Sequence, residues 1–148
     1  MTLGELIQPT HVIESLRVGN KAQLLNELSR RAAVAVKLDP SVIQDALLQR
    51  EALGSTGLGK GFALPHARLP GLLKPFALFA RLSKPIDFAS VDDRPVDLVV
   101  LLLTPTNGAN EHLSTLAAIS RPMREEAFTR RLRQATSGAA LHAVLETG

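Results

Sequence analysis

Gly59-Lys60-Gly61-Phe62-Ala63-Leu64-Pro65-His66-Ala67-Arg68 places a histidine directly after a proline, at the end of a short apolar run. Pro65 fixes its own φ and biases Leu64 toward an extended backbone, a geometry suited to presenting a side chain at a strand end. An imidazole held in this way can act as a nucleophile. One strongly anionic group it could accept is a phosphoryl group, which needs hydrogen-bond donors, a nearby cation and glycines that let a bulky partner approach. Arg50, Arg68, Ser55 and Thr56 are the residues near His66 in sequence that could supply them.

A second histidine, His112, falls in the first turn of an expected helix after the run Thr104-Pro105-Thr106-Asn107-Gly108. If its strand neighbours the one leading to His66, both rings reach the same sheet edge, where a helix N-terminus favours anionic oxygens. His11 and His142 lack such a context and read as structural.

Other chemistries fit less well. Gly54, Gly59 and Lys60 have the spacing of a nucleotide-binding loop, but Gly61 stands where Ser or Thr would hold magnesium. That loop would also follow a helix and precede a strand, the reverse of the order a phosphate-binding loop needs. A plain connection between two elements is its other reading. A zinc site from His66, His112 and Glu111 would use widely separated ligands without an HExxH helix, and no serine sits in a nucleophile elbow.

The elements that must position these residues follow from periodicity and caps. Thr2 and Glu5 have capping-box spacing, which predicts a short helical turn over 2–7, and His11–Leu16 reads as a strand. Gly19-Asn20 opens a helix to about Val36, with Leu24, Leu25, Leu28 and Ala32 on one face. Asp39-Pro40 starts another that ends at Gly54, with Arg50 in its last turn. A glycine-rich loop over 54–61 precedes extended segments at Phe62–Leu64, Phe76–Leu82 (bounded by Pro75 and Pro85) and Val96–Leu103. Helices are then expected from Ala109 or Asn110, over Glu125–Gln134, and over Ser137–Leu145.

Helices that precede, interrupt and follow a few strands predict an α/β (α+β) fold, a three-layer α/β/α sandwich whose small mixed sheet has helices on both faces. At 148 residues the chain is expected to be one domain, 1–148, burying roughly 68–70% of its unfolded surface. There is no cysteine, which removes disulfides and thiolate chemistry. A net charge of +3 invites nucleic acid, but with no Trp or Tyr and only five Phe, the stacking platform for bases is missing. The N-terminus lacks a basic region followed by a long apolar core, and Leu98–Leu103 is too short to cross a bilayer, so a cytoplasmic protein without membrane insertion is expected. Neither a cofactor nor a metal is expected.

Arg50-Glu51-Ala52-Leu53-Gly54-Ser55-Thr56-Gly57-Leu58-Gly59 with Gly61-Phe62-Ala63-Leu64-Pro65-His66 resembles the active-site region of enzyme IIA proteins of the phosphoenolpyruvate-dependent phosphotransferase system. The nitrogen-regulatory, PtsN-like type is most similar. The likeness continues through Ser83-Lys84-Pro85-Ile86-Asp87-Phe88, Pro95-Val96-Asp97-Leu98, Leu103-Thr104-Pro105, His112-Leu113 and Arg130-Arg131-Leu132-Arg133. It implies that His66 accepts a phosphoryl group from a small histidine-containing phosphocarrier protein, that His112 orients or hydrogen-bonds that group, and that Arg50 stabilises its charge. Ser55, Thr56 and Arg68 are expected at the phosphate. Pro122, where such proteins usually continue their helix with an apolar residue, should stop or kink it.

The resemblance further implies a phosphotransferase component that acts mainly as a regulator, binding targets such as potassium-transport or sensor-kinase proteins according to its phosphorylation state. The alternatives are a fructose- or mannitol-type enzyme IIA that hands phosphate to an enzyme IIB, and a binding module that keeps the fold without transfer. A monomer or weak dimer is expected.

Overall fold

The structure is a computed structural model and describes residues 2–148. Helix α1 (Leu3–Leu6) is capped by Thr2, whose side chain accepts from the Glu5 amide, and a 3-10 turn, Pro9–His11, leads into β1 (Val12–Leu16). Asn20 caps α2 (Lys21–Val36) by accepting from the Gln23 amide at 2.8 Å, and Lys37 ends the helix in a left-handed conformation. Asp39 caps α3 (Pro40–Ala52), with Pro40 at the first position, where its missing N–H costs nothing. Then come β2 (Gly57–Gly59), β3 (Phe62–Ala63), β4 (His66–Leu69), β5 (Phe76–Ile86) and β6 (Val96–Pro105). Helices α4 (Ala109–Met123), α5 (Glu126–Gln134) and α6 (Gly138–Leu145) close the chain.

The sheet runs β1-β5-β6-β3-β2, with β4 also paired to β6. It is mixed: β1 is parallel to β5, β5 antiparallel to β6, and both β3 and β4 are parallel to β6. Strand β6 is the spine, and its side chains alternate between two cores. Val99, Leu101 and Leu103 pack with Leu24, Leu25, Leu28, Ile43 and Leu47 of α2 and α3. Leu98, Val100 and Leu102 pack with Ile119, Phe128, Leu132, Leu141 and Leu145 of α4, α5 and α6. Each apolar side chain fully buried this way contributes about 1.5–3 kcal/mol, so the run with no polar face between Leu98 and Leu103 is what a strand between two helical layers requires.

Several boundaries differ from the sequence expectation. Strand β5 runs through Pro85 to Ile86, because its register with β6 shifts between Arg81 and Ile86 and no ladder hydrogen bond is asked of the proline. At the other strand, the amides of Asp97 and Leu98 both donate to the Gly61 carbonyl at 3.0 Å, a bulge that resets the alternation after Val96. The glycine loop holds a short strand, β2, and the segment after Pro65 is a strand, β4. Pro122 lies in the last turn of α4, which stops one residue later at Met123.

Candidate active site

Leu64-Pro65 is the joint between β3 and β4. Both strands pair with β6 in parallel, Ala63 opposite Val99 and His66 opposite Leu102, and the Pro65 carbonyl accepts from the Leu102 amide at 3.0 Å. His66 therefore begins a strand rather than following the end of one, and its backbone is fixed on both sides. Its ring is fixed as well. Nδ1–H donates to the Leu64 carbonyl at 2.7 Å, which leaves a lone pair on Nε2.

Arg50 reaches His66 from the last turn of α3. Its Nε–H donates to His66 Nε2 at 3.3 Å and its Nη1 donates to the Gly54 carbonyl at 2.9 Å. The second histidine arrives from the far side: β6 runs past β4, turns through Thr106–Gly108, and α4 begins with His112 in its first turn. The two imidazoles lie 5.7 Å apart between centroids, tilted by 50°. Thr104, at the end of β6, sits 2.6 Å from His112 Nδ1 through its hydroxyl.

Arg50, His66 and His112 line an open cavity of about 340 Å³, shared with Ala46, Gln49, Leu53, Ala67 and Arg68. Two guanidinium groups and two imidazoles face it, and no carboxylate among the described residues lines it. Such a cavity attracts an anion. Burial holds His66 below the usual histidine pKa; the Leu64 hydrogen bond opposes this, the Arg50 charge adds to it, and Glu51 opposes it weakly. His112 is lowered by burial first, then by His66 and Arg68. Lowered from the ordinary histidine value, both groups favour the neutral form at neutral pH.

Of the residues expected at the phosphate, the structure brings together His66, His112, Arg50 and Arg68. Arg68 also donates to the Thr106 carbonyl, tying β4 to the loop before α4. Ser55 and Thr56 do not turn their hydroxyls to the cavity. Ser55 donates to the Phe88 carbonyl at 2.9 Å, and Thr56, 1% exposed, gives both its amide and its hydroxyl to the Glu51 carboxylate. They hold the glycine loop in place instead.

Two residues that sequence reasoning did not single out shape the site. Glu51, beside Arg50, accepts from Thr56 and pairs with Lys21 Nζ at 2.9 Å, so it pins the loop to α2 and α3. An acid at a helix end, ahead of a loop full of free amides, was the available signal. Thr104 gave none, because its contact exists only once β6 and α4 are folded together. His11 stacks edge-on against Phe76 and His142 donates through Nε2 to the Gly4 and Ile7 carbonyls, both far from the cavity. A larger opening, about 490 Å³ beside Arg121, Glu125 and Arg131, contains no histidine. Among the described residues no three His, Asp or Glu side chains cluster as a metal site would, and no helix is long and apolar enough to cross a membrane.

Comparison with known proteins gives the family and the fold. The family described as "Phosphoenolpyruvate-dependent sugar phosphotransferase system, EIIA 2" matches residues 5–148. The nitrogen regulatory protein of Bradyrhizobium diazoefficiens is 43% identical over 145 residues, covering 98% of this chain and 95% of that protein. The nitrogen regulatory protein of Escherichia coli is 37% identical over 127 residues, covering 85% of this chain and 78% of that protein. The crystal structure of the nitrogen regulatory protein IIA-Ntr from Neisseria meningitidis superposes with a TM-score of 0.92 at 31% identity, covering 97% of this chain and 98% of that one. The three-layer α/β/α arrangement with its mixed sheet is thus the fold of these proteins.

Proposed function

The chain belongs to the EIIA 2 family of the phosphoenolpyruvate-dependent sugar phosphotransferase system, and from that premise we propose that His66 accepts a phosphoryl group from a histidine-containing phosphocarrier protein. The observation that carries the reading is the His66 ring itself: its proton is committed to the Leu64 carbonyl and its Nε2 faces a cavity lined with cations.

The bond between phosphorus and the donor's imidazole nitrogen breaks as the bond to His66 Nε2 forms. The leaving nitrogen takes back the electron pair, the three phosphoryl oxygens cross with the phosphorus, and the His66 proton stays on Nδ1. Phosphoryl transfer passes through a loose transition state, so positioning and charge stabilisation do the catalysis. Arg50 must leave the Nε2 lone pair as the phosphorus approaches, and its guanidinium then meets the equatorial oxygens. Arg68 and His112 face the same oxygens from the other side of the cavity.

The phosphoryl oxygens of the product carry close to two negative charges, offset in part by the positive charge of a ring still protonated on Nδ1, so transfer adds about one net negative charge to a surface that was cationic. Partners that read this patch would bind one form and reject the other. The likeness to nitrogen regulatory proteins supports a regulatory output, with proteins such as potassium-transport or sensor-kinase components as the targets, and a site of action in the cytoplasm.

Incubation with radiolabelled phosphoenolpyruvate, enzyme I and the phosphocarrier protein tests the reading. The expected product is acid-labile, base-stable label on the wild-type protein and none on His66→Ala. An unlabelled wild type, or label retained in His66→Ala, rejects it.

A further inference from the structure

We propose that Thr104 is a positioning residue that holds His112 in the tautomer with its proton on Nε2, ready to donate to a phosphoryl oxygen on His66. The inference rests on the phosphoryl-acceptor reading of His66 given above.

Thr104 stands in β6 directly opposite Arg68 of β4 and is 3% exposed. Its Oγ1 lies 2.6 Å from His112 Nδ1, and among the described residues it has no other hydrogen-bond partner. A hydroxyl buried this way must place its hydrogen on an acceptor or lose the bond it made with water. Nδ1 is the acceptor in reach. If Nδ1–H instead donated to Oγ1, the threonine hydrogen would point at nothing.

A neutral imidazole carries one proton, so a ring that accepts at Nδ1 donates at Nε2. Burial, His66 and Arg68 all oppose a second proton on His112. Among the described residues Nε2 makes no hydrogen bond, and the ring lines the cavity beside His66. The two histidines are therefore set in opposite tautomers. Leu64 takes the proton of His66 at Nδ1 and leaves a lone pair at Nε2, whereas Thr104 gives a proton toward His112 Nδ1 and leaves an N–H at Nε2. One presents the attacking electrons and the other a donor for the oxygens that arrive with the phosphorus. The reverse tautomer of His112 would aim a lone pair at those oxygens. Threonine suits the task because a β-branched side chain in a strand has little χ1 freedom.

Long-range ¹H–¹⁵N spectra of the imidazoles at pH 8, with the rate of transfer from the phosphorylated carrier protein, test the proposal. In the wild type, His112 should show a protonated Nε2 and an unprotonated Nδ1. Thr104→Val, which keeps the shape and removes the hydroxyl, should mix the tautomers and slow transfer about tenfold, as the loss of one transition-state hydrogen bond does. Thr104→Ser should keep both properties. A wild-type His112 protonated on Nδ1 overturns the proposal without any variant, so a failure of Thr104→Val to fold does not protect it. Unchanged tautomer or unchanged rate in a folded Thr104→Val, or loss of either in Thr104→Ser, overturns it too. A wild type that accepts no phosphoryl group at all rejects the underlying function instead, whatever the spectra show.

Discussion

The Nε–H of Arg50 rests on the Nε2 lone pair of His66, 3.3 Å away, so the cation that would stabilise the phosphoryl group sits in the resting state on the atom proposed to attack it. The Gly54 carbonyl holds the other arm of the guanidinium, which keeps the charge beside the ring after the Nε–H is displaced. Arg50→Gln should therefore slow transfer by roughly 10²–10³, the cost of removing one preorganised donor. It should also raise the His66 pKa, though not to the ordinary value, since burial is the larger cause of its depression. Single-turnover kinetics and a histidine NMR titration check the two halves.

The neutrality of His66 and His112 sets the pH dependence. Protonation of His66 would remove the lone pair proposed as the nucleophile, and burial holds its folded-state pKa below 6.5. Transfer should stay level from pH 8 down past 6.5, where an unperturbed histidine would already be half protonated, and decline only at lower pH. The pH-rate profile of His66 phosphorylation measures this.

Stability follows the same sign. His11, His66 and His112 all have folded-state values lowered from 6.5 by burial, so the unfolded chain binds more protons below that pH. Their contribution is complete above pH 6.5 and is lost as pH falls toward the folded values. Urea midpoints should be lower at pH 5.5 than at pH 7.5, well before carboxylates such as Glu27, Asp39 and Asp92, also lowered, begin to protonate.

Glu51 is expected to matter more than its absence from the cavity suggests. Its side chain is 6% exposed, and it holds Lys21 and Thr56 together, while Lys21 is 25% exposed. Breaking a fully buried pair costs about 3–5 kcal/mol; with Lys21 partly in water, Glu51→Ala should cost about 2–3 kcal/mol. The loop next to Arg50 would loosen, so transfer should slow as well. Denaturant titration and transfer kinetics test both effects.

Gly61 separates stability from chemistry. Its φ is +80°, and a Cβ there would lie 2.5 Å from Arg133 Nη2 and 2.8 Å from Asp97 Oδ1, the pair that ties α5 to the start of β6. Gly61→Ala should cost about 1–3 kcal/mol and leave the transfer rate of the folded protein unchanged, because His66 sits farther along β6, opposite Leu102. Thermal unfolding compared with kinetics at 25 °C distinguishes the two.

The parts of the molecule legible in the sequence are those whose signals are local. Asn20 and Asp39 mark the starts of α2 and α3 because their side chains cap amides two or three residues on. The apolar run of β6 declares a strand covered on both faces. His66 is visible because Pro65 and the glycines around it constrain the backbone within a few residues. Less was readable where tertiary pairing decides. His66–Leu69 is too short to show a strand period, and β6 makes it one. Gly57–Gly59 has poor strand propensity, yet β3 pairs with it.

The site shows the same division. Arg50 and His112 could be named from sequence, since one lies in a helix's last turn and the other in a first turn after a strand. Ser55 and Thr56 were expected at the phosphate from their nearness to the glycines. Their hydroxyls instead satisfy Phe88 and Glu51, partners that come from a distant turn and from the end of α3. Neither these contacts nor the pairing of Thr104 with His112 has any signature in residue spacing.

The claim that transfer ends on Nε2 of His66 is tested most directly by imidazole ¹H–¹⁵N spectra of the ¹⁵N-labelled protein, before and after phosphorylation by the carrier protein. The expected result is a shift and a phosphorus coupling at His66 Nε2, with Nδ1 still protonated against the Leu64 carbonyl. A phosphorus coupling at Nδ1 of His66, or on His11, His112 or His142, would contradict it.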